Sequence, residues 1–175
     1  MNIPVKYNDD IDEFTNDLTL QMRIENYIKE HFYPAYIIAK LCPIYLLGGA
    51  IRDLIYASEP KDLDFVIVGK ENLDWILQVF EKFEIKYSYN KLGGFKFMYN
   101  DTKIDLWLSN DLFSAMQYNV DGLFFDLNNN SLLSLTFEDF VNEGLKLTNS
   151  NNNIQNGREK KLIKFEGKFK MDNKI

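Results

Sequence analysis

The stretch Tyr45–Gly69, YLLGGAIRDLIYASEPKDLDFVIVG, decides how this chain is read. An apolar run ends at Gly48-Gly49. AIRDLIYA follows with Ile51, Leu54 and Ile55 on one side, and a polar link then leads into DLDFVIVG, rich in β-branched and aromatic residues. The order is strand, turn, helix, strand. Two residues without Cβ let the chain turn sharply and bring backbone N–H groups close to a ligand. The helix that follows offers its N-terminal N–H groups and dipole to an anion. Asp62 and Asp64 stand two apart at the start of the second strand, so both project from one face. Carboxylates held in parallel repel each other, a divalent cation relieves that repulsion, and hard oxygen ligands suit Mg²⁺. Taken singly, a glycine pair is also an ordinary turn, and Asp-x-Asp is also a solvated strand start.

A third acidic residue lies downstream. Asp105 sits in KIDLWL among Ile104, Leu106, Trp107 and Leu108. In a central strand a carboxylate is costly unless it is paired or bound to metal. On a solvent-facing side it would simply share its face with Lys103.

Around this centre, residues 9–41 read as helix, capped by Asp9 or Asp10. Its apolar positions are Ile11, Phe14, Leu18, Met22 and Ile28, and Pro34 divides it so that AYIIAKLC forms a second helix. ENLDWILQVFEKF reads as an amphipathic helix with Leu73, Ile76, Leu77 and Phe80 on one face. FKFMY and KIDLWL flank the polar turn Asn100-Asp101-Thr102 as a hairpin. NDLFSAMQYNV reads as a short helix, GLFFDLN as a short strand and Asn128–Asn130 as a loop. The expected fold is α/β (α+β): a mixed sheet of about five strands packed against helices. Three divisions are expected: an N-terminal helical segment over 1–40, a head domain over 41–148, and an Asn-rich linker with a basic helix over 149–175.

Composition narrows the chemistry. With 175 residues, 46% hydrophobic and including 14 Phe and 10 Tyr, the chain can build one domain with a substantial core. Cys42 is the only cysteine and His31 the only histidine, which argues against a disulfide, a zinc site and His-based acyl transfer. No apolar run approaches the roughly 20 residues of a membrane span, and the N-terminus lacks a signal-peptide pattern. A cytoplasmic setting without membrane or zinc is expected. Seven basic against three acidic residues from Arg158 onward give that tail +4 and leave −10 on the rest, a poor surface for a polyanion. His31 is expected at a surface or helix end, Cys42 as a buried small side chain, and Trp75, Trp107, Phe124, Phe125, Phe137 and Phe140 in the core.

Gly-Gly-x-x-Arg-Asp followed by Lys-Asp-x-Asp and a strand resembles the signature of the tRNA nucleotidyltransferase and poly(A) polymerase family, within the DNA polymerase β-like nucleotidyltransferase superfamily. KLGGFKF, SAMQYNVDGLFFD and KLIKFEGKFKMD resemble, more loosely, later segments of that family's head and the start of its neck helix. The resemblance implies a nucleotidyltransferase head that uses an NTP and two Mg²⁺ ions; the expectation is a stand-alone head, which departs from the family in lacking its body and tail domains. Asp62, Asp64 and Asp105 would be catalytic and metal-binding, with Asp105 helping to activate the attacking hydroxyl. Gly48, Gly49, Arg52, Asp53, Lys61, Lys91 and Arg158 would serve nucleotide binding. A nucleoside monophosphate would pass to a hydroxyl, an RNA 3′ end being favoured over a protein or a small molecule such as an aminoglycoside, with release of pyrophosphate. The alternatives are a head of the same fold that binds nucleotide or a partner without turnover, and a toxin-like enzyme acting on a tRNA or a protein.

Two departures from the family pattern stand in the sequence. Leu108–Asp111, LSND, replaces the family's Arg-Arg-Asp, leaving a cation to be supplied by Lys91 or Lys103. IQNGR, ending at Arg158, replaces Glu-Asp-x-x-Arg, so the base-reading carboxylate is absent from Ile154 and Gln155 and strict C-then-A addition is not expected.

Overall fold

A computed structural model of the chain describes residues 17–55, 58–91, 93–112, 116 and 121–135. The first described helix, α1 (Leu18–Phe32), is capped by Asp17, whose side chain accepts from the Leu20 N–H at 3.0 Å. Its buried face is Leu20, Ile24, Ile28 and Phe32, one residue per turn. The expected phase was different: Leu18 and Met22 are 71% and 62% exposed, so only Ile28 of the described positions belongs to the buried stripe. Ile11 and Phe14 lie outside the described residues. Pro34 opens the short helix α2 (Pro34–Ile38), where its missing N–H is no loss. His31, in the last turn of α1, is half-buried and stacked on Tyr27 with ring centroids 3.8 Å apart.

The strand–turn–helix–strand reading matches β1 (Ile44–Leu47), α3 (Gly48–Ile55) and β2 (Asp62–Val68). A 3₁₀ turn at Lys70–Asn72 precedes α4 (Leu73–Lys82), which buries Ile76, Val79 and Phe80 while Leu73 stays 41% exposed. Then come β3 (Tyr87–Tyr89), β4 (Phe95–Tyr99), β5 (Thr102–Ser109), β6 (Leu123–Asp126) and β7 (Ser131–Ser134). Tyr99 pairs with Thr102, so the hairpin turn is two residues long and Thr102 belongs to the strand. Asn100 and Asp101 hold it with φ of 45° and 60°, the left-handed pair that a I′ turn requires.

Among the described residues the sheet has seven strands in the order β3-β4-β5-β2-β1-β6-β7, not about five. The two outermost strands escape a sequence pattern for physical reasons. All three β3 residues are exposed, and β7 buries only Leu132. Asn128 ties the β6–β7 turn to the helical layer: its side-chain amide donates to the carbonyls of Ala39 and Cys42 and its Oδ1 accepts from the Ile44 N–H.

β2 and β5 run parallel, and every other paired neighbour is antiparallel. One face of the sheet meets the helices: Ile44, Leu46, Leu63, Phe65, Ile104 and Leu106 join Ile24, Phe32, Ile51 and Phe80 in the main core. The opposite face carries a smaller apolar cluster of Leu47, Val66, Met116 and Phe124, with Trp107 packed against it. Cys42, Phe124 and Phe125 are buried as expected. The helix expected over NDLFSAMQYNV falls largely outside the described residues, and Phe137, Phe140 and everything from 136 to 175, Arg158 and the basic segment included, lie wholly outside them.

Candidate active site

Strand alternation sorts the acidic residues. Leu63 and Phe65 on β2, and Ile104 and Leu106 on β5, point into the helical core. Asp62, Asp64, Lys103 and Asp105 therefore project from the other face. In the parallel register Asp64 stands beside Asp105 and Asp62 beside Lys103. Neighbouring strands lie about 4.8 Å apart, so two carboxylates from distant parts of the sequence share one rung. All three aspartates are half-buried, and Asp105 lies on the accessible side of its strand together with Lys103.

The third carboxylate is engaged elsewhere. Lys103 Nζ lies 3.6 Å from Asp62 Oδ2, both side chains being about two-fifths exposed. Among the described residues no three His, Cys, Asp or Glu side chains gather closely enough to hold a metal ion. The site as folded is thus a carboxylate pair, Asp64 and Asp105, with Asp62 held beside it by a lysine. A pair still fits Mg²⁺, which is commonly held by one or two carboxylates together with substrate phosphates rather than by an all-protein cage. An exposed ion pair contributes at most about 1 kcal/mol, so Lys103 is a weak competitor for Asp62.

The glycine turn borders this pair. β1 runs antiparallel to β2 with Leu46 opposite Phe65. One step further sets Leu47 level with Asp64, and Gly48-Gly49 follows. The two glycines do different jobs. A Cβ on Gly48 would meet the Leu123 carbonyl at 2.9 Å and Arg52 Nη1 at 3.1 Å, so close packing of α3 on β6 demands glycine there. At Gly49 the nearest atom is Arg52 Nη2 at 3.9 Å, which leaves its half-buried backbone open to approach. Arg52 is only 5% exposed, and its guanidinium lies against this turn. Its place is that of a brace beneath the glycines more than of a solvent-facing phosphate hook. Asp53 is half-buried on the same helix, and its charge adds, after burial and the charges of Glu59 and Glu30, to what pushes the Tyr27 hydroxyl on α1 upward.

Of the remaining expected residues, Lys61 is exposed just before β2, and Lys91 is exposed in the turn joining β3 to β4. Register brings forward one residue not anticipated. Lys96 on β4 stands directly opposite Asp105, on the same face, exposed and in no ion pair among the described residues. Alternation in FKFMY places Lys96 outward, but only the strand register shows which carboxylate it accompanies.

No protein-family model matches this chain, and no curated protein matches it. Solved structures do. One is a CCA-adding enzyme with ATP, at 17% identity and a TM-score of 0.63, covering 87% of this chain and 41% of that one. The Thermotoga maritima CCA-adding enzyme complexed with tRNA is 18% identical, with a TM-score of 0.57 over 75% of this chain and 35% of that one. A tRNA-processing enzyme in an apo form gives 16%, 0.58, 78% and 43% for the same quantities. The chain spans less than half the length of each of these proteins. The likeness shows the fold: this is a nucleotidyltransferase fold, shared with CCA-adding enzymes.

Proposed function

We propose that this chain is a Mg²⁺-dependent nucleotidyltransferase that moves a nucleoside monophosphate from an NTP to a hydroxyl, an RNA 3′ end being the favoured acceptor. The observation that carries the reading is the shared rung of Asp64 and Asp105 beside the Gly48-Gly49 turn. The fold adds support, since CCA-adding enzymes that share it have been seen with ATP, with CTP and with tRNA.

In this reading Asp64 and Asp105 hold the metal, with Asp62 joining when the phosphates draw Lys103 away. When bound, the metal supplies charge neutralisation at the phosphate oxygens. The open Gly49 backbone and the start of α3 receive the triphosphate, and Arg52 keeps that turn in shape. Asp105 orients the attacking hydroxyl and accepts its proton. Lys96, opposite it, offsets charge on the phosphates and takes over from the missing Arg-Arg-Asp. The new bond forms between the acceptor oxygen and the α-phosphorus, the bond to the bridging oxygen of the β-phosphate breaks, and pyrophosphate leaves. The protein's share is positioning and fixed charge, as phosphoryl transfer generally requires.

Purified protein with Mg²⁺, labelled ATP or CTP and a panel of RNA 3′ ends is expected to release pyrophosphate and extend the RNA, and Asp64→Ala is expected to stop both. The Lys103–Asp62 pair favours one other reading, a head that binds nucleotide without turnover. NTP binding with no pyrophosphate release across all acceptors would select it.

A further inference from the structure

We propose that the open edge of β3 is a self-association surface, on which a second copy of this chain docks through its own β3, edge to edge and antiparallel, about a twofold axis at Ser88. β3 ends the sheet, and Tyr87, Ser88 and Tyr89 are all exposed. The neighbouring hairpin sets the phase of its hydrogen bonds. Tyr99 and Thr102 flank a two-residue turn and form a hydrogen-bonded pair. Alternation then turns the N–H and C=O of Phe95 and Phe97 towards β5, and those of Lys96 towards β3, where Ser88 faces them. The Asn90 N–H, donating to the Gly94 carbonyl at 2.7 Å, keeps the same phase two residues on. Ser88 therefore directs its backbone groups at β4, while the N–H and C=O of Tyr87 and Tyr89 point outwards. Among the described residues no strand meets them.

This edge fits itself. With Ser88 on the axis, Tyr87 of each copy faces Tyr89 of the other, and both become hydrogen-bonded pairs, so four N–H···O bonds close and no outward group is left over. Charge allows the register: Tyr87–Tyr89 carries none, and Lys86 meets Asn90 of the other copy, not a second lysine. Sheet edges are commonly blunted by a lysine, a proline or a bulge, and β3 has none of these. The far edge differs, since β7 is buried or half-buried along its length. Tyr89 is 67% and Tyr87 38% exposed, with their rings edge-on at 5.7 Å. Covering these rings in both copies removes on the order of 400 Å² from water. That is below the roughly 1,200 Å² of a lasting interface, so the dimer is weak and depends on concentration. Ser88, Lys96 and Asp105 share one rung, and the axis continues that rung into the second copy. Both carboxylate pairs then open on one face of a single sheet, with the two Asp105 residues five strand spacings, about 24 Å, apart. The association needs only the edge and is independent of the transferase reading.

Sedimentation equilibrium of the whole chain, without nucleotide or metal, is expected to show monomer passing to dimer, and no further, between micromolar and millimolar concentration. Tyr89→Pro removes an outward N–H and leaves the β3–β4 bonds, which Tyr89 does not make. It is expected to weaken association by about tenfold. Tyr89→Lys, which keeps the strand and charges its edge, is expected to weaken it as well. Circular dichroism checks that both variants fold. Ser88→Cys supplies a positive test. The axis brings position 88 of the two copies to the Cα separation of about 4.5 Å of a non-hydrogen-bonded pair, within disulfide reach. Mild oxidation is expected to give a covalent dimer. Lys96→Cys, on the same rung but about 14 Å from its copy, is expected to stay monomeric, and Cys42, 1% exposed, takes no part. A chain that remains monomeric at millimolar concentration overturns the proposal. So does a dimer that neither Tyr89 variant weakens, or Lys96→Cys cross-linking as readily as Ser88→Cys. Growth beyond the dimer overturns it equally, because the twofold axis closes the edge.

Discussion

Asp64 and Asp105 occupy the same rung of the parallel pair β2–β5, projecting side by side from the face opposite the main core. Like charges directly across two strands destabilise a sheet by about 0.2–1 kcal/mol. Asp105→Asn is therefore expected to raise the urea midpoint slightly in metal-free buffer while removing pyrophosphate release. Mg²⁺ is expected to raise the melting temperature of the native chain and not that of the variant. Loss of stability in Asp105→Asn, or Mg²⁺ stabilising both alike, would contradict the pairing of acid and metal.

The glycine pair separates packing from binding. Gly48→Ala places a methyl against the Leu123 carbonyl and is expected to cost about 1–3 kcal/mol. Gly49→Ala meets nothing closer than 3.9 Å and is expected to keep or gain up to about 1 kcal/mol of helix stability. The same Gly49→Ala is expected to weaken NTP binding, because its methyl occupies the approach to the backbone. Urea melts with calorimetric titration of NTP distinguish the two; equal stability losses at both sites would refute the distinction.

The lysines facing the carboxylates divide in the same way. Lys96→Met is expected to raise KM for the NTP by about tenfold, the scale of one charge-assisted hydrogen bond, with Lys96→Arg restoring most of it. Lys103→Met frees Asp62 from its 3.6 Å partner and is expected to tighten apparent Mg²⁺ affinity. A Lys96→Met enzyme with unchanged KM would remove that residue from the site.

Alkaline stability follows from burial. Burial chiefly, with Glu71 nearby, pushes the Cys42 thiol above its ordinary 9.0. Burial likewise holds the Tyr36 and Tyr45 hydroxyls above 10.0. The folded state keeps these protons longer than the unfolded chain does. Their stabilising contribution is thus complete below pH 9 and lost as pH rises past the unfolded values towards the folded ones. Urea midpoints are expected to fall between pH 9 and 11. Cys42, 1% exposed, is expected to resist thiol reagents until the chain unfolds.

How far the sequence could be read depends on where each signal resides. β1, α3 and β2 were legible because their pattern is contiguous and punctuated by Gly48-Gly49 and Asp62. The phase of α1 was not, since Leu18 and Met22 are as apolar as Leu20 and Ile24 and only the packed sheet selects between them. Asp64 and Asp105 could each be singled out, but their shared rung is a register between distant strands, and no local pattern encodes it. The Asp62–Lys103 pair and the placing of Lys96 opposite Asp105 depend on that same register. Trp107, expected in the core, is half-buried against the smaller cluster on the face opposite the main core, with Gly94 beside it on the next strand.

A parallel pair cannot be closed by a tight turn. Between Val68 and Thr102 the chain must lay down α4, β3 and β4 before β5 can return alongside β2. The two acids are therefore strangers until late in folding, when that whole excursion has docked. A chain still emerging during synthesis, or one partly unravelled at this crossover, holds no gathered negative charge on this rung. Docking of the excursion is itself what brings the two charges together.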